Sequence, residues 1–233
     1  MAGEIPKLWS KLENGDDVTS PQLGTGGEEI GSPTYEAAKF GNGILAQDYS
    51  HKCKFPTSAN LINMDKGTIE MWMKHKRASG WGGDLLLFDF KDSAAHGLTF
   101  ELTKKAVGYS DFELTITHEG GSFVVKAGNL SYEAGTLMHV AVTWDRQGND
   151  IGDGKTVAIY IDDVENGSSI TTWNESTGIN SYMFMCKEQW EAAVVAVLDN
   201  LKTYDVCKTD FSDKDTEGVP TKKKFTLVQM VNI

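Results

Sequence analysis

The chain has 233 residues, 40% of them hydrophobic, with 24 glycines and only 5 prolines. That suffices for one sizeable all-β core and argues against extended disorder, and the sequence shows no internal repeat at solenoid or propeller period. The formal net charge of −11 disfavours phosphate-rich partners, because nucleic-acid binders cluster Lys and Arg; it also disfavours anionic membranes, and serves either solubility or carboxylates that hold Ca2+.

Residues 1–36 are polar and Gly-rich, with GlyAspAsp and GlyThrGlyGlyGluGlu. They read as an N-terminal wrapping segment, with a strand around Leu8–Leu12. MetAlaGlyGluIleProLysLeuTrp has no basic n-region and no apolar h-region, so it is not a signal peptide. With Met1 taken as native, the chain folds in the cytoplasm. No apolar run reaches the length of a membrane span.

Strands are then predicted over 39–46, 52–56, 67–75, 84–90, 96–103, 110–117, 121–127, 137–145, 155–163, 181–186 and 192–205. The alternation is plain in Leu98, Phe100 and Leu102, and in Phe112, Leu114 and Ile116 against Glu113, Thr115 and Thr117. Such strands have one buried and one solvated face, as an antiparallel two-sheet sandwich requires. His139–Asp145 and Lys155–Asp163 place Val140, Val142, Trp144 and Val157, Ile159, Ile161 on matching faces. The Gly-, Asn- and Asp-rich loop between them predicts an antiparallel hairpin. GluGlyGly at 119–121, AlaGly at 127–128 and AsnGly at 166–167 mark turns. Only Glu188–Ala193 and Asp210–Asp215 suggest a helical turn, each too short to stand alone.

Residues 213–233 form a polar spacer followed by ThrLysLysLys and the apolar, strand-like Phe225–Ile233. This end is either a last strand on its own sheet or an arm. As an arm it adds to an exposed sheet edge of a neighbouring subunit and makes an oligomer, its lysines complementing an acidic body. Cys53, Cys186 and Cys207 are odd in number and fit no zinc spacing. They allow one disulfide, or three buried thiols folded under reducing conditions.

Several segments together resemble one family. HisValAlaValThrTrpAsp (139–145) leads into ValAlaIleTyrIleAspAsp (157–163). Before it come LysPheGlyAsnGlyIle (39–44) and LysGlyThrIleGluMetTrpMetLys (66–74), and after it LeuAspAsnLeuLysThrTyr (198–204). Their order and spacing are similar to the laminin-G-like, concanavalin-A-like lectin and glucanase family. The resemblance implies an all-β fold, an antiparallel two-sheet jelly-roll sandwich over residues 37–212. It leaves activity open, because that fold hosts lectins, glucanases, adhesion modules and virion proteins.

Catalysis finds little support. Glycosidases need two neighbouring carboxyls, and the Glu-x-Asp-x-x-Glu strand of related glucanases is absent. Glu70, Glu101 and Glu113 alternate with core residues and read as solvated positions. The five histidines are scattered, and no GxSxG stands around a serine. The chain is therefore expected not to be an enzyme, with no catalytic residue assigned. For metal, calcium-binding relatives use an N-terminal loop and the Asp of the closing strand. The resemblance thus implies Ca2+ at Asp16, Asp17 and Asp199, with the loop Asn149–Gly154 as a second candidate. For carbohydrate, Trp81, Trp173 and Trp190 sit among polar residues as stacking candidates for a glycan ring, or else cover the sandwich ends. Trp72 and Trp144 lie on regular strands and read as core.

Two functions follow as expectations. The first is a non-catalytic surface structural or adhesion protein, such as a phage capsid decoration or tail component. It would be displayed on a virion or extracellular surface, with glycans or neighbouring subunits as partners. The alternative is a carbohydrate-binding module of a larger secreted protein; a glycoside hydrolase ranks behind both.

Overall fold

A computed structural model describes residues 4–46, 51–56, 61–79, 85–91, 99–104, 112–175, 182–188 and 196–217. Among these, strand β1 (Leu8–Ser10) precedes a short helix, α1 (Gly15–Thr19), then β2 (Glu28–Ile30), β3 (Tyr35–Ala37), β4 (Asn42–Ala46) and β5 (Lys52–Pro56). The central elements are β6 (Lys66–His75), β7 (Leu85–Lys91), β8 (Thr99–Lys104), β9 (Phe112–His118) and β10 (Gly121–Ala127). β11 (Leu137–Asp145), β12 (Val157–Ile161), β13 (Val164–Ser169), β14 (Tyr182–Glu188) and β15 (Ala196–Tyr204) complete the set.

The strands form two antiparallel sheets. The larger runs β13-β12-β11-β6-β15-β4-β3, with β1 paired to β15, and the smaller runs β10-β9-β8-β7-β14-β5-β2. Long crossovers place β6 between β11 and β15, which are distant in sequence, and this connectivity is that of a jelly roll. Register follows the alternation: Val140 faces Ile161 and Trp144 faces Val157 across the β11–β12 pair. A one-residue slip would turn every apolar side chain outward.

Between the sheets, Ile69, Met71, Met73, Val140, Val142 and Trp144 pack against Phe88, Phe90, Phe100, Leu102, Leu114 and Ile116. Aromatic rings thread this core, with centroids 4.9 Å apart for Phe90 and Phe100 and 5.7 Å for Phe100 and Trp144. The indole of Trp144 donates to the Asn63 carbonyl at 2.8 Å, so its one polar atom is satisfied. Position 67 has to be glycine: a Cβ there would stand 2.7 Å from the Trp144 ring and 2.8 Å from the Tyr204 carbonyl.

Several elements differ from the sequence reading. The turn after β12 is Asp162–Asp163, with φ of 51° and 73°, the paired left-handed residues a tight two-residue hairpin needs. AsnGly at 166–167 therefore lies inside β13, where register shifts opposite Ile159 and Tyr160. β2 and β3 are short polar edge strands without apolar alternation. Helix α1 was also unexpected. Asn14 caps it, its side-chain oxygen accepting from the Asp16 and Asp17 amides at 2.8 and 3.3 Å, and the two aspartates suit the positive end of the helix. The segment read as N-terminal wrapping adds β1 to the larger sheet and β2 to the smaller one.

Candidate functional site

Of the three stacking candidates, Trp173 is 3% exposed. Its ring lies 5.3 Å from Phe100, edge-on, and its indole N–H donates to the Met64 carbonyl at 3.3 Å. The polar neighbours in ThrThrTrpAsnGluSer suggested exposure. The strand has ended there, alternation no longer governs, and the ring turns in to close the core. Trp173 has no face for a sugar. Trp81 and Trp190 lie outside the described residues.

Asp199 sits in β15, just before a bulge at Asn200, whose φ is 54°. It is 1% exposed. Its Oδ2 accepts from the backbone amides of Lys39 and Phe40 at 3.0 and 2.8 Å. Oδ1 is buried without a hydrogen-bond partner. Burial pushes this carboxyl up to about 7, with Glu13 and Glu217 adding to the effect against the two amides. The Glu13 carboxylate lies against the same turn, since a Cβ on Gly41 would stand 3.0 Å from its Oε1. Lys11 pairs with Glu217 at 2.9 Å and more loosely with Glu13 at 3.8 Å.

Asp16 and Asp17 do not take the places expected of them. Asp17 spends both oxygens locally, Oδ2 on the Glu13 amide at 3.0 Å and Oδ1 on the Gln22 side chain at 2.6 Å. Asp16 is exposed in the first turn of α1. The carboxylates gathered around Asp199 are instead Glu13 and Glu217, which are remote in sequence and carry no motif.

The loop Asn149–Gly154 hangs from Asp145. Its carboxylate accepts from the amides of Gln147, Asn149 and Asp150 at 3.0, 2.8 and 3.0 Å. Asp150 is paired with Lys66. Asp145, Asp150 and Cys207 come together with ligand atoms within 4.8 Å of one another. The acids are already committed, and burial first of all pushes the Cys207 thiol up to about 11. This cluster holds a loop. Cys53 and Cys207 are free thiols, and the Cys186 side chain lies outside the described residues.

The densest chemistry is on the outer face of the larger sheet. Glu70 on β6 was read as solvated, yet it is 1% exposed. Tyr204 donates to its Oε1 at 2.8 Å and Lys208 to its Oε2 at 2.9 Å. Lys202 stands 3.6 Å from Oε1 and His139 Nε2 3.7 Å from Oε2. Burial alone would raise the Glu70 carboxyl, but Lys208 foremost among its neighbours outweighs that and holds it below the usual range. Burial, again the largest cause, lowers His139 to about 4, so its ring is neutral at physiological pH. Glu113 is also buried at the surface edge, paired with Lys126 at 2.8 Å.

Residues 205–217 cover this face as a strap. Thr68 donates to the Val206 carbonyl at 2.8 Å, and the Lys208 amide donates to Thr68 at 2.9 Å. The Phe211 amide donates to Asp163 at 2.7 Å, and the Trp72 indole to the Lys214 carbonyl at 3.0 Å. Trp72 is thus buried as expected, but under the strap rather than between the sheets.

Comparison with known proteins agrees with this architecture. The family described as the concanavalin A-like lectin/glucanases superfamily, of the laminin G type, matches residues 47–210. With well over half of its length matched, the chain belongs to that family. Domain 4 of AbnA, a GH43 extracellular arabinanase from Geobacillus stearothermophilus solved with arabinotriose, is similar at 15% identity and TM-score 0.62, over 89% of this chain and 95% of that one. The binding domain of Paraclostridial Mosquitocidal Protein 1 is similar at 12% identity and TM-score 0.66, over 88% of this chain and 49% of that one. A botulinum neurotoxin type C structure, whose description ties cell entry to two ganglioside molecules, is similar at 14% identity and TM-score 0.60, over 91% and 50%. The chain spans about half the length of these toxin domains. At such identities the likeness establishes the fold alone. A search of curated proteins returns no match. Among the described residues no helix is long and apolar enough to cross a membrane.

Proposed function

We propose that the chain is a non-catalytic glycan-binding module. The observation that carries this is the state of Glu70. The acid at the centre of the larger sheet is held anionic by a phenol and two ammonium groups. Its oxygens are taken up by these groups, and the neighbouring Asp213 carboxylate is tied to the same Lys208 ammonium, so neither acid stands free for the acid and base roles that hydrolysis needs. Support comes from relatives of the same fold described as binding domains, or solved with arabinotriose. The remaining stacking candidates are Trp81 and Trp190. Fluorescence titration with arabinotriose and with a ganglioside oligosaccharide tests this. Trp81→Ala or Trp190→Ala is expected to weaken binding at least tenfold with the melting temperature unchanged. Binding untouched by both changes would remove these residues from the site.

The wider role we propose is surface adhesion or structure, on a virion or an extracellular surface. Free thiols at Cys53 and Cys207 support folding in a reducing compartment before display. The arm Phe225–Ile233 would link copies. Light scattering of the full chain against a 1–219 truncation is expected to show an oligomer and a monomer, respectively. Equal masses would return the arm to its own sheet. As a module of a larger secreted protein the chain would bind glycan without self-association.

Calcium remains a proposal for the Asp199 corner. An unpartnered buried oxygen beside two further carboxylates fits a hard cation. Asp199 with Glu13 and Glu217 would hold it, in place of the Asp16 and Asp17 expected from the resemblance. It would neutralise the buried charge and fix the Lys39–Gly41 turn. Lys11 competes for the same acids.

A further inference from the structure

The strap covers a surface unlike the rest of the core. A face built for permanent burial is cheaper in apolar residues, because a buried ion pair seldom outdoes well-packed hydrocarbon. This one carries Glu70, Lys202, His139 and Tyr204, all at most 2% exposed, flanked by Trp72 and Tyr160. Its small apolar part is a floor of Ala141 and Ala158. One ring fills the space above that floor. Phe211, fully buried, lies 5.1 Å from Tyr160 and 5.5 Å from His139 by ring centroid, with the Lys208 ammonium 4.9 Å from its own centroid. His139 keeps Nδ1 buried with no hydrogen-bond partner.

We infer that this face is a second saccharide site, held shut by residues 205–217 with Phe211 in the place of a sugar ring. The strap makes no ladder with the sheet; it is held to the face by the side chains of Thr68, Glu70, Trp72 and Asp163 and by the Cys207 thiol on the Trp144 carbonyl, with ion pairs from Asp205, Asp215 and Glu217 to Lys7, Lys39 and Lys11. It can lift without breaking strand pairing. The uncovered face then offers Tyr160 and Tyr204 as aromatic surfaces, with Trp72 at its edge beneath the Lys39 ammonium, 4.3 Å from the ring centroid. Glu70, Lys202 and His139 supply hydroxyl acceptors and donors, the mixture that orients a pyranose. With the Lys208 charge withdrawn, Glu70 and Lys202 balance, so the ligand class is a neutral oligosaccharide. Nothing covalent is involved. The inference rests on reading the chain as a glycan binder, but the site is separate from Trp81 and Trp190.

Phe211→Ala in the full chain tests it, with Lys208→Met as a second route to release. Amide hydrogen exchange reports the strap. Nuclear magnetic resonance of the His139 imidazole and the Tyr160 ring reports the face, with cellotriose, maltotriose and arabinotriose as probes. In Phe211→Ala, strap amides are expected to exchange at least tenfold faster while β6 and β11 stay protected. One trisaccharide is expected to shift both ring signals, and Tyr160→Ala in the same background to abolish the shift at His139. A released strap with no shift from any probe overturns the inference. So does native-state exchange in the wild type in which the strap opens only with global unfolding, a readout that survives if neither variant folds. Wild-type binding lost in Trp81→Ala or Trp190→Ala, beside a silent Phe211→Ala face, sinks this site alone. A silent wild type with a responsive Phe211→Ala variant sinks only the loop site.

Discussion

Glu70→Ala is expected to lower unfolding stability by about 3–5 kcal/mol, the cost of leaving buried charges without their partner. Lys202 is 2% exposed and stands 3.6 Å from the carboxylate, and Lys208 is 8% exposed and 2.9 Å away. Removing the anion strands the first ammonium in a dry site and leaves the second with Asp213 alone, at 2.7 Å. Tyr204 loses the acceptor of its hydroxyl as well. Urea unfolding at neutral pH measures the loss. A change below about 1 kcal/mol would mean that water reaches the lysines, against their burial. The matched control is Glu70→Leu with Lys202→Met, Lys208→Met and Tyr204→Phe. It is expected to be neutral or more stable than the wild type, since the buried charges and the hydroxyl bonded to them leave together and only the partly exposed Asp213 remains. A penalty for the single variant and none for the combined one would show that the network specifies an arrangement rather than adding net stability.

The same network has a pH signature. The folded Glu70 carboxyl is held below its ordinary value of 4.5. Its contribution is therefore complete above about 4.5 and is lost as pH falls through the folded value, because the unfolded chain takes up the proton first. His139 works in the same direction. Burial lowers its ring to about 4 from 6.5, so the unfolded state binds that proton first and stability falls between those values. Acid should loosen the strap before it disturbs the interior between the sheets, where the packing is apolar.

How much of this was legible in the sequence depends on what encodes each feature. The β11–β12 hairpin was, because its apolar positions alternate without interruption and that alternation sets the register, although both faces of the two strands are buried. β13 was not. ValGluAsnGlySerSer has no apolar stripe, and it pairs because β12 offers an edge and Asp162–Asp163 supply the turn. Glu70 shows how alternation misleads. It does point away from the inter-sheet core, as its place in β6 predicts, but period-two reasoning equates that direction with water. Here it means the underside of the strap, which begins more than a hundred residues later. Lys202, His139 and Lys208 carry no spacing that links them to Glu70. Only the pairing of β6 with both β11 and β15 brings the first two beside it. Asp199 was visible through the closing-strand motif, whereas Glu13 and Glu217 reach its corner from opposite ends of the described chain.

That corner carries the second large effect: Asp199→Asn is expected to raise stability at pH 8 and to flatten its pH dependence below neutrality. The wild-type carboxyl is pushed up to about 7 in the fold from an ordinary 3.8, chiefly by burial. Between those values the folded chain holds a proton that the unfolded chain has released. Stability therefore falls as pH rises across that interval and stays low above it, the reverse of a paired carboxylate. A gap of about three pH units corresponds to roughly 4 kcal/mol. Asparagine keeps an oxygen for the Lys39 and Phe40 amides and turns the unpartnered Oδ1 into an amide donor, with Glu13 and Glu217 in the neighbourhood to accept. Thermal melts from pH 4 to 8 measure this, and a variant that retains the wild-type slope would place the titrating group elsewhere. Calcium separates the two roles proposed for the residue. A bound cation favours the ionised carboxyl, so Ca2+ is expected to raise the wild-type melting temperature most at pH 8, little at pH 5, and not at all in Asp199→Asn. If Ca2+ changes neither protein at pH 8, Asp199 is a buried acid that the fold tolerates for its grip on the Lys39–Phe40 turn, with Lys11 as the standing counter-charge to Glu13 and Glu217.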